Sequence, residues 1–265
     1  MKRRSCKYLL TAALLCAALT LPAKAARRRV PVQADAIPVS AAAYVEQGVT
    51  YVPLRALLNA LGSWQVWWDG EAGQAAAISG SASLRADPAG NVIRVNGIAL
   101  SGRVTVESGV TYVPLRLVCE ALGCKVEWDP YLGGAAVTSP GAAYDAVELY
   151  WLSRIIYAES GAESMTGQIA VGNVILNRVE SSRFPNTVEG VIFDRKDAVQ
   201  FEPVSNGQIY KTPSAQSVEA ARRVLDGENV IGSALYFYAP ALSQGVWINA
   251  SCTYQQTIGC HRFYL

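Results

Sequence analysis

Histidine is nearly missing from this sequence: His261 is the single copy in 265 residues. Copper, zinc or iron centres built from several imidazoles therefore cannot be assembled within one chain. Positive charge is also scarce. Lys2, Arg3, Arg4, Lys7 and Lys24 lie in the first 25 residues, which hold no acid, so the formal +2 leaves 18 basic against 21 acidic residues beyond them. So weak a field does not support binding to nucleic acid, where neutralisation of phosphates dominates affinity. The apolar run at 8–21 has 14 residues, short of the ~20 that span a bilayer. Leu15 precedes Cys16, and lipoprotein processing needs a small residue there, so no lipid anchor is expected.

What the amino terminus does contain is a basic start, that short apolar run, Pro22 and Ala23-Lys24-Ala25. This order matches a cleaved export signal over residues 1–25, with no stable membrane insertion after cleavage. Export leaves Cys119, Cys124, Cys252 and Cys260 where disulfides persist. Proximity favours Cys119 with Cys124 and Cys252 with Cys260; free thiols are the alternative, because sequence cannot fix connectivity.

With 51% hydrophobic and 17% charged residues, the chain has ample apolar surface for packed cores. Val45-Glu46-Gln47-Gly48-Val49-Thr50-Tyr51-Val52-Pro53-Leu54-Arg55 returns 61 residues later as Val106-Glu107-Ser108-Gly109-Val110-Thr111-Tyr112-Val113-Pro114-Leu115-Arg116, a duplication. Each copy reads as alternating strands, a proline opening a helix (54–61 and 115–122), a glycine stop at Gly62 or Gly123, and two further strands. Each unit is expected to be a small sheet with one helix.

Tyr-Val-Pro-Leu-Arg, a helix ending Ala-Leu-Gly, and the pairs Trp68-Asp69 and Trp128-Asp129 make residues 30–139 similar to the copper amine oxidase N-terminal-like domain. The segment has no histidine, so the resemblance implies a non-catalytic module of secreted cell-surface proteins. Trp64, Trp67 and Trp68 are either a sugar-binding platform or core, since strand alternation must bury one face.

Ser139-Pro140-Gly141 marks a boundary, and the pattern then changes. Helical spacing is expected at 145–158 and 168–179, a third helix opens at Thr212-Pro213, and short strands are expected at 234–238 and 246–248. Glu159 follows the apolar Ile155-Ile156-Tyr157-Ala158. Partial desolvation there would raise its pKa, as a general acid needs near neutrality, whereas a solvated helix-end glutamate would do nothing. Glu163 is the obvious second carboxylate, though Gly161 interrupts the helix that would align the pair.

Ile156-Tyr157-Ala158-Glu159, Gly167-Gln168-Ile169-Ala170-Val171-Gly172, Val174-Ile175-Leu176-Asn177-Arg178-Val179, Phe184-Pro185-Asn186-Thr187, Ala234-Leu235-Tyr236-Phe237-Tyr238, Trp247-Ile248 and Ile258-Gly259-Cys260-His261-Arg262-Phe263 occur in the order of the SleB-type cell-wall hydrolases, the spore cortex-lytic enzymes. The likeness covers residues 148–265. It implies a lysozyme-like fold, no cofactor, and lytic transglycosylase action on peptidoglycan glycan strands, with Glu159 at the position of the catalytic glutamate. Two departures stand out: Ser160-Gly161-Ala162-Glu163 lacks the arginine of the family's Ala-Arg-Gly-Glu, and the Gly-Ala-Phe segment is altered at Ala198-Val199-Gln200-Phe201.

Glu163, Gln168, Asn177, Tyr236, Tyr238, Trp247 and His261 are the candidate substrate-binding residues. Asn177 either contacts an acetamido group or bridges the fold, and the aromatics are either sugar-stacking walls or core. A zinc reading of His261 with Cys252 and Cys260 fails for want of a second imidazole and paired cysteine spacing. The expected architecture is α+β: a signal at 1–25, duplicated small α+β modules at 30–139, and a mainly helical lysozyme-like domain at 140–265. The expected protein is secreted to the cell wall or spore cortex. A hydrolytic muramidase and a non-catalytic wall-binding protein are the alternatives.

Overall fold

The computed structural model describes residues 27–39, 42–196 and 198–265. The expected export signal lies outside the described residues. Strands β1 (Arg28–Arg29), β2 (Val32–Ala34) and β3 (Ile37–Pro38) lead into β4 (Tyr44–Glu46), β5 (Val49–Pro53), α1 (Leu54–Ala60), β6 (Gln65–Asp69) and β7 (Gln74–Ser79). Then come β8 (Ala82–Asp87), β9 (Val92–Val95), β10 (Ile98–Ser101), β11 (Thr105–Glu107), β12 (Val110–Pro114), α2 (Leu115–Ala121), β13 (Lys125–Asp129) and β14 (Gly134–Thr138). Pro53 and Pro114 end their strands in extended backbone, and the helices begin one residue later.

The expectation of one small sheet per repeat is corrected. One sheet runs β1-β4-β5-β12-β11, so the repeated hairpins of both copies share it through the antiparallel pair β5–β12. A second runs β13-β14-β2-β3, in which β14 of the second copy lies parallel to β2 at the start of the chain. Only β6 to β10 form a sheet from consecutive strands. The reason is burial: strands of three to six residues with one seven-residue helix per copy cannot cover their own apolar faces. Pooled, they enclose a single cluster containing Val52, Leu54, Leu57, Leu58, Val113, Leu115 and Val118.

From residue 146 the chain is mostly helical, and the molecule as a whole is α+β. The helices are α3 (Ala146–Ser160), α4 (Met165–Glu180), α5 (Val188–Ile192), α6 (Glu202–Asn206), a 3₁₀ turn at Gln208–Tyr210, and α7 (Ala215–Leu225). Strand β15 (Tyr236–Tyr238), α8 (Val246–Ser251), β16 (Tyr254–Ile258) and β17 (His261–Tyr264) follow, with the sheet ordered β15-β17-β16. The Asp145 carboxylate caps α3 by accepting from the Val147 and Glu148 amides. Ser164 caps α4 and Ser214 caps α7, so Pro213 stands before the cap and not at the first helical position. Residues 246–248, expected as a strand, open α8 instead: Gly245 turns the chain at φ 57°, and of the three apolar residues only Ile248 is buried.

α3 is enclosed on most sides, with Leu149, Trp151, Leu152, Ile155 and Ile156 buried, and α4 and α7 pack against it. Gly172 makes this approach feasible, because a Cβ there would press on Ile156 and Val224. Between the two halves, the buried Asp129 carboxylate accepts from Trp151 Nε1 at 2.7 Å, and Tyr131 stacks on Phe193 with centroids 4.1 Å apart.

The four described cysteines are free thiols, the alternative to the expected bridges. Cys252 and Cys260 stand at opposite ends of β16, whose five residues extend ~16 Å, whereas a disulfide needs Cα atoms within ~7 Å. Cys119 and Cys124 are neighbours at the end of α2, buried as thiols, with the Cys124 amide bonded to the Cys119 carbonyl at 2.8 Å.

Candidate active site

Glu159 lies in the last turn of α3 rather than beyond it. The Ser160 hydroxyl donates to the Ile156 carbonyl at 2.8 Å, and Gly161 closes the helix with right-handed backbone. A Cβ at Gly161 would collide with the Tyr157 carbonyl, so only glycine lets the chain leave the helix this closely. Gln168, fully buried in α4, then holds the turn: its amide donates to the Glu163 carbonyl at 3.1 Å, while its Oε1 accepts from Ser217 at 2.8 Å.

This turn forms one wall of a cleft of about 640 Å³. Gln208 and Lys211 bound it beside the 3₁₀ turn; Ala239, Ala241 and Leu242 bound it after β15; Cys260 and His261 close it from the β16–β17 turn. Glu159 and Glu163 both line it. Desolvation raises the Glu159 pKa to about 7, and the negative charge of Glu202, at the start of α6, adds to the shift. The group can thus both give and take a proton near neutrality.

Glu163 is differently placed. Its Oε1 accepts from the Cys260 amide at 3.2 Å and lies 3.7 Å from His261 Nδ1. That imidazole is buried, has no hydrogen-bond partner at Nδ1, and packs edge-on against Phe237. Burial lowers its pKa, against a smaller raising effect of Glu163, so it is neutral near pH 7. Glu163 is therefore a strut between the α3–α4 turn and the terminal hairpin, and Gly259 leaves room for its carboxylate.

Of the eight residues singled out from sequence, Glu159, Glu163 and His261 come together in the cleft, with Gln168 behind its wall. Asn177 instead donates to the Gly232 and Ala234 carbonyls at 2.8 and 2.9 Å, tying α4 to the chain before β15. The Tyr236 hydroxyl accepts from Arg183 at 2.6 Å, and its ring meets the exposed Trp247 edge-on. Tyr238 accepts from the Asn249 amide at 2.9 Å. These three aromatics are outside the cleft lining. Glu202, Gln208 and Lys211 were not foreseen; no spacing marks them, because long-range packing brings their loop to α3.

The cell wall hydrolase family matches residues 162–264, beginning three residues after Glu159, and the copper amine oxidase N-terminal domain matches residues 32–138. The spore cortex-lytic enzyme of Bacillus cereus is 40% identical over 105 residues, covering 40% of this chain and 39% of the relative. That of Bacillus subtilis is 35% identical over 113 residues, 43% of this chain and 36% of the relative. The match thus spans about two fifths of the length of these curated relatives. Among solved structures, the catalytic domain of the germination-specific lytic transglycosylase SleB from Bacillus anthracis is 37% identical, with 48% of this chain and 99% of that domain covered and a TM-score of 0.43.

Proposed function

We propose that this chain, whose residues 162–264 belong to the cell wall hydrolases, cleaves the bond between N-acetylmuramic acid and N-acetylglucosamine in peptidoglycan as a lytic transglycosylase. One observation carries the reading: the cleft holds a carboxyl with a pKa of about 7, while the other carboxyl lining it is engaged by a backbone amide. The protonated Glu159 gives its proton to the glycosidic oxygen as the bond to the muramoyl anomeric carbon breaks, releasing the N-acetylglucosamine 4-hydroxyl. The resulting carboxylate takes the proton of the muramoyl 6-hydroxyl, whose oxygen closes on that anomeric carbon. No water enters, the acid is regenerated, and the tethered nucleophile makes a second carboxylate unnecessary. The names of the spore cortex-lytic relatives support this substrate class.

A hydrolytic course has one observation in its favour, the charge of Glu202 felt at Glu159, because a second carboxylate is what an inverting or retaining hydrolase uses. The finer architecture belongs to the same reading: a signal at 1–25, a duplicated module at 30–139, and a mainly helical lysozyme-like catalytic domain at 140–265, secreted to the wall or spore cortex. The recurrence of strand, strand, helix, strand, strand in the two repeat copies supports the duplication.

Mass spectrometry of a peptidoglycan digest decides the chemistry. Fragments ending in 1,6-anhydromuramic acid, lighter by one water than hydrolytic products, are expected. Glu159→Gln should reduce their release by ~10²- to 10⁴-fold. Reducing muramic ends would make the protein a muramidase, and full activity in Glu159→Gln would move the acid elsewhere, first to Glu163.

A further inference from the structure

The two repeat copies present the same helix and strand to solvent with opposite chemistry. In the second copy, Arg116 bonds Glu120 at 3.1 Å and the Val126 carbonyl at 3.0 Å; Lys125 pairs with Glu127 at 2.7 Å and Asp145 at 2.8 Å; and Arg28 lies over the Trp128 ring. Its charges are satisfied within the protein. In the first copy, Asn59 stands where Glu120 stands, Gln65 where Lys125 stands, and Trp67 where Glu127 stands. The arginine is kept as Arg55 but has lost its acid. Among the described residues it makes no ion pair or hydrogen bond, and neither Trp67 nor Trp68 has a ring or cation partner, although these indoles are 41% and 49% exposed.

Arg55, Asn59, Trp67 and Trp68 line one groove of about 910 Å³, larger than the cleft of about 640 Å³, and Val110, Thr111 and Tyr112 of the other copy line it too. Two exposed indoles offer flat apolar faces of the kind that stack on pyranose rings, with an amide at Asn59 within the same groove and an unpaired guanidinium at Arg55 suited to a carboxylate. An apolar peptide would use the rings but leave the cation idle.

We propose that this groove is a second glycan site, which holds an N-acetylated, carboxylate-bearing strand while the cleft acts elsewhere on the polymer. The choice of peptidoglycan as that polymer rests on the reading of the cleft given above, and charge complementarity between Arg55 and the carboxylates of the stem peptides favours it over a neutral glycan. Holding the polymer through two sites raises the effective concentration of bonds at Glu159 without any new contact in the cleft.

The test uses the full chain carrying Glu159→Gln, so that binding is read without turnover, sedimented with insoluble peptidoglycan and, separately, with chitin. Trp67→Ala with Trp68→Ala should raise the half-saturating concentration on peptidoglycan at least tenfold, with thermal unfolding unchanged. Arg55→Ala, at an exposed helix position, should weaken peptidoglycan binding several-fold and leave chitin binding as it was. Retention of the double variant equal to that of the parent overturns the proposal, as does an Arg55→Ala effect equal on the two polymers. A dimer in sedimentation equilibrium that the tryptophan substitutions dissolve, with retention unaltered, assigns the groove to a second copy of the chain and equally overturns it. Because no turnover is needed, a chain that binds through the groove but releases no fragments counts against the cleft alone.

Discussion

The raised pKa of Glu159 ties the proposed acid role to stability through one proton. Its folded pKa of about 7 lies above that of an unfolded glutamate, so the folded state is favoured by protonation; the contribution is complete below the unfolded value and is lost as pH rises through 7. Activity that needs the protonated acid should fall along the same limb. Glu159→Gln should therefore unfold at a higher temperature than the parent at pH 8, by a stability gain of up to ~3 kcal/mol, and at nearly the same temperature at pH 4. A constant difference between the two at both pH values would place the titrating group elsewhere. Glu163 tests the strut. A Cβ at Gly259 would strike its carboxylate, on backbone already at φ 56°, so Gly259→Ala should cost about 1–2 kcal/mol and lower the rate at least tenfold. An unchanged rate would separate the Glu163 position from catalysis. The desolvated glutamate of the cleft was legible in sequence because an apolar helix turn and an ordered set of motifs both point to Glu159. Glu202 was not, because its influence on Glu159 runs between α6 and α3, about forty residues apart in the chain.

Helix α3 brings Glu159 into position only because α4 and α7 close on it at Gly172, one turn of α3 away from the acid at Ile156. Gly172→Val should overpack this junction, costing about 1–3 kcal/mol, and should reduce activity more than stability alone explains. Denaturant unfolding beside a turnover assay checks both; full activity at reduced stability would show that the junction supports the fold without setting the acid. Elements with strong local signals were readable: α3 and α4 from their apolar spacing, α1 and α2 from the glycine stops. α8 was misread because three residues, Val246, Trp247 and Ile248, carry too little periodicity to tell strand from helix, and the preceding Gly245 decided the matter through its left-handed turn.

Across the whole molecule, the second repeat does more than precede the helical half. Asp129 accepts from the Tyr131 and Leu132 amides and from Trp151 Nε1, and Tyr210, next to Lys211 of the cleft wall, packs edge-on against the same indole. Asp69, the matching residue of the first copy, bonds Ala72 and Arg85 within its own module. Asp129→Ala would leave a buried indole N–H unpaired and should cost about 2–3 kcal/mol, whereas Asp69→Ala, at a solvated turn, should cost clearly less. Equal losses in thermal unfolding would show that the junction contributes nothing specific.

The sequence by itself determined the features that depend on neighbours along the chain: the repeat, the capped helices, the scarcity of histidine, and a glutamate at the end of an apolar helix. Spacing, caps and composition are local, so they survive without knowledge of the fold. Only the tertiary structure decided that the two repeats share a sheet, that Cys252 and Cys260 stand apart along a strand, that Asn177 bridges rather than lines the cleft, and that Glu159 shares the cleft with Lys211 and Gln208. Each of these depends on which surfaces bury one another after long loops close. That choice is made by the shape and polarity of both partners together, and neither segment carries it alone.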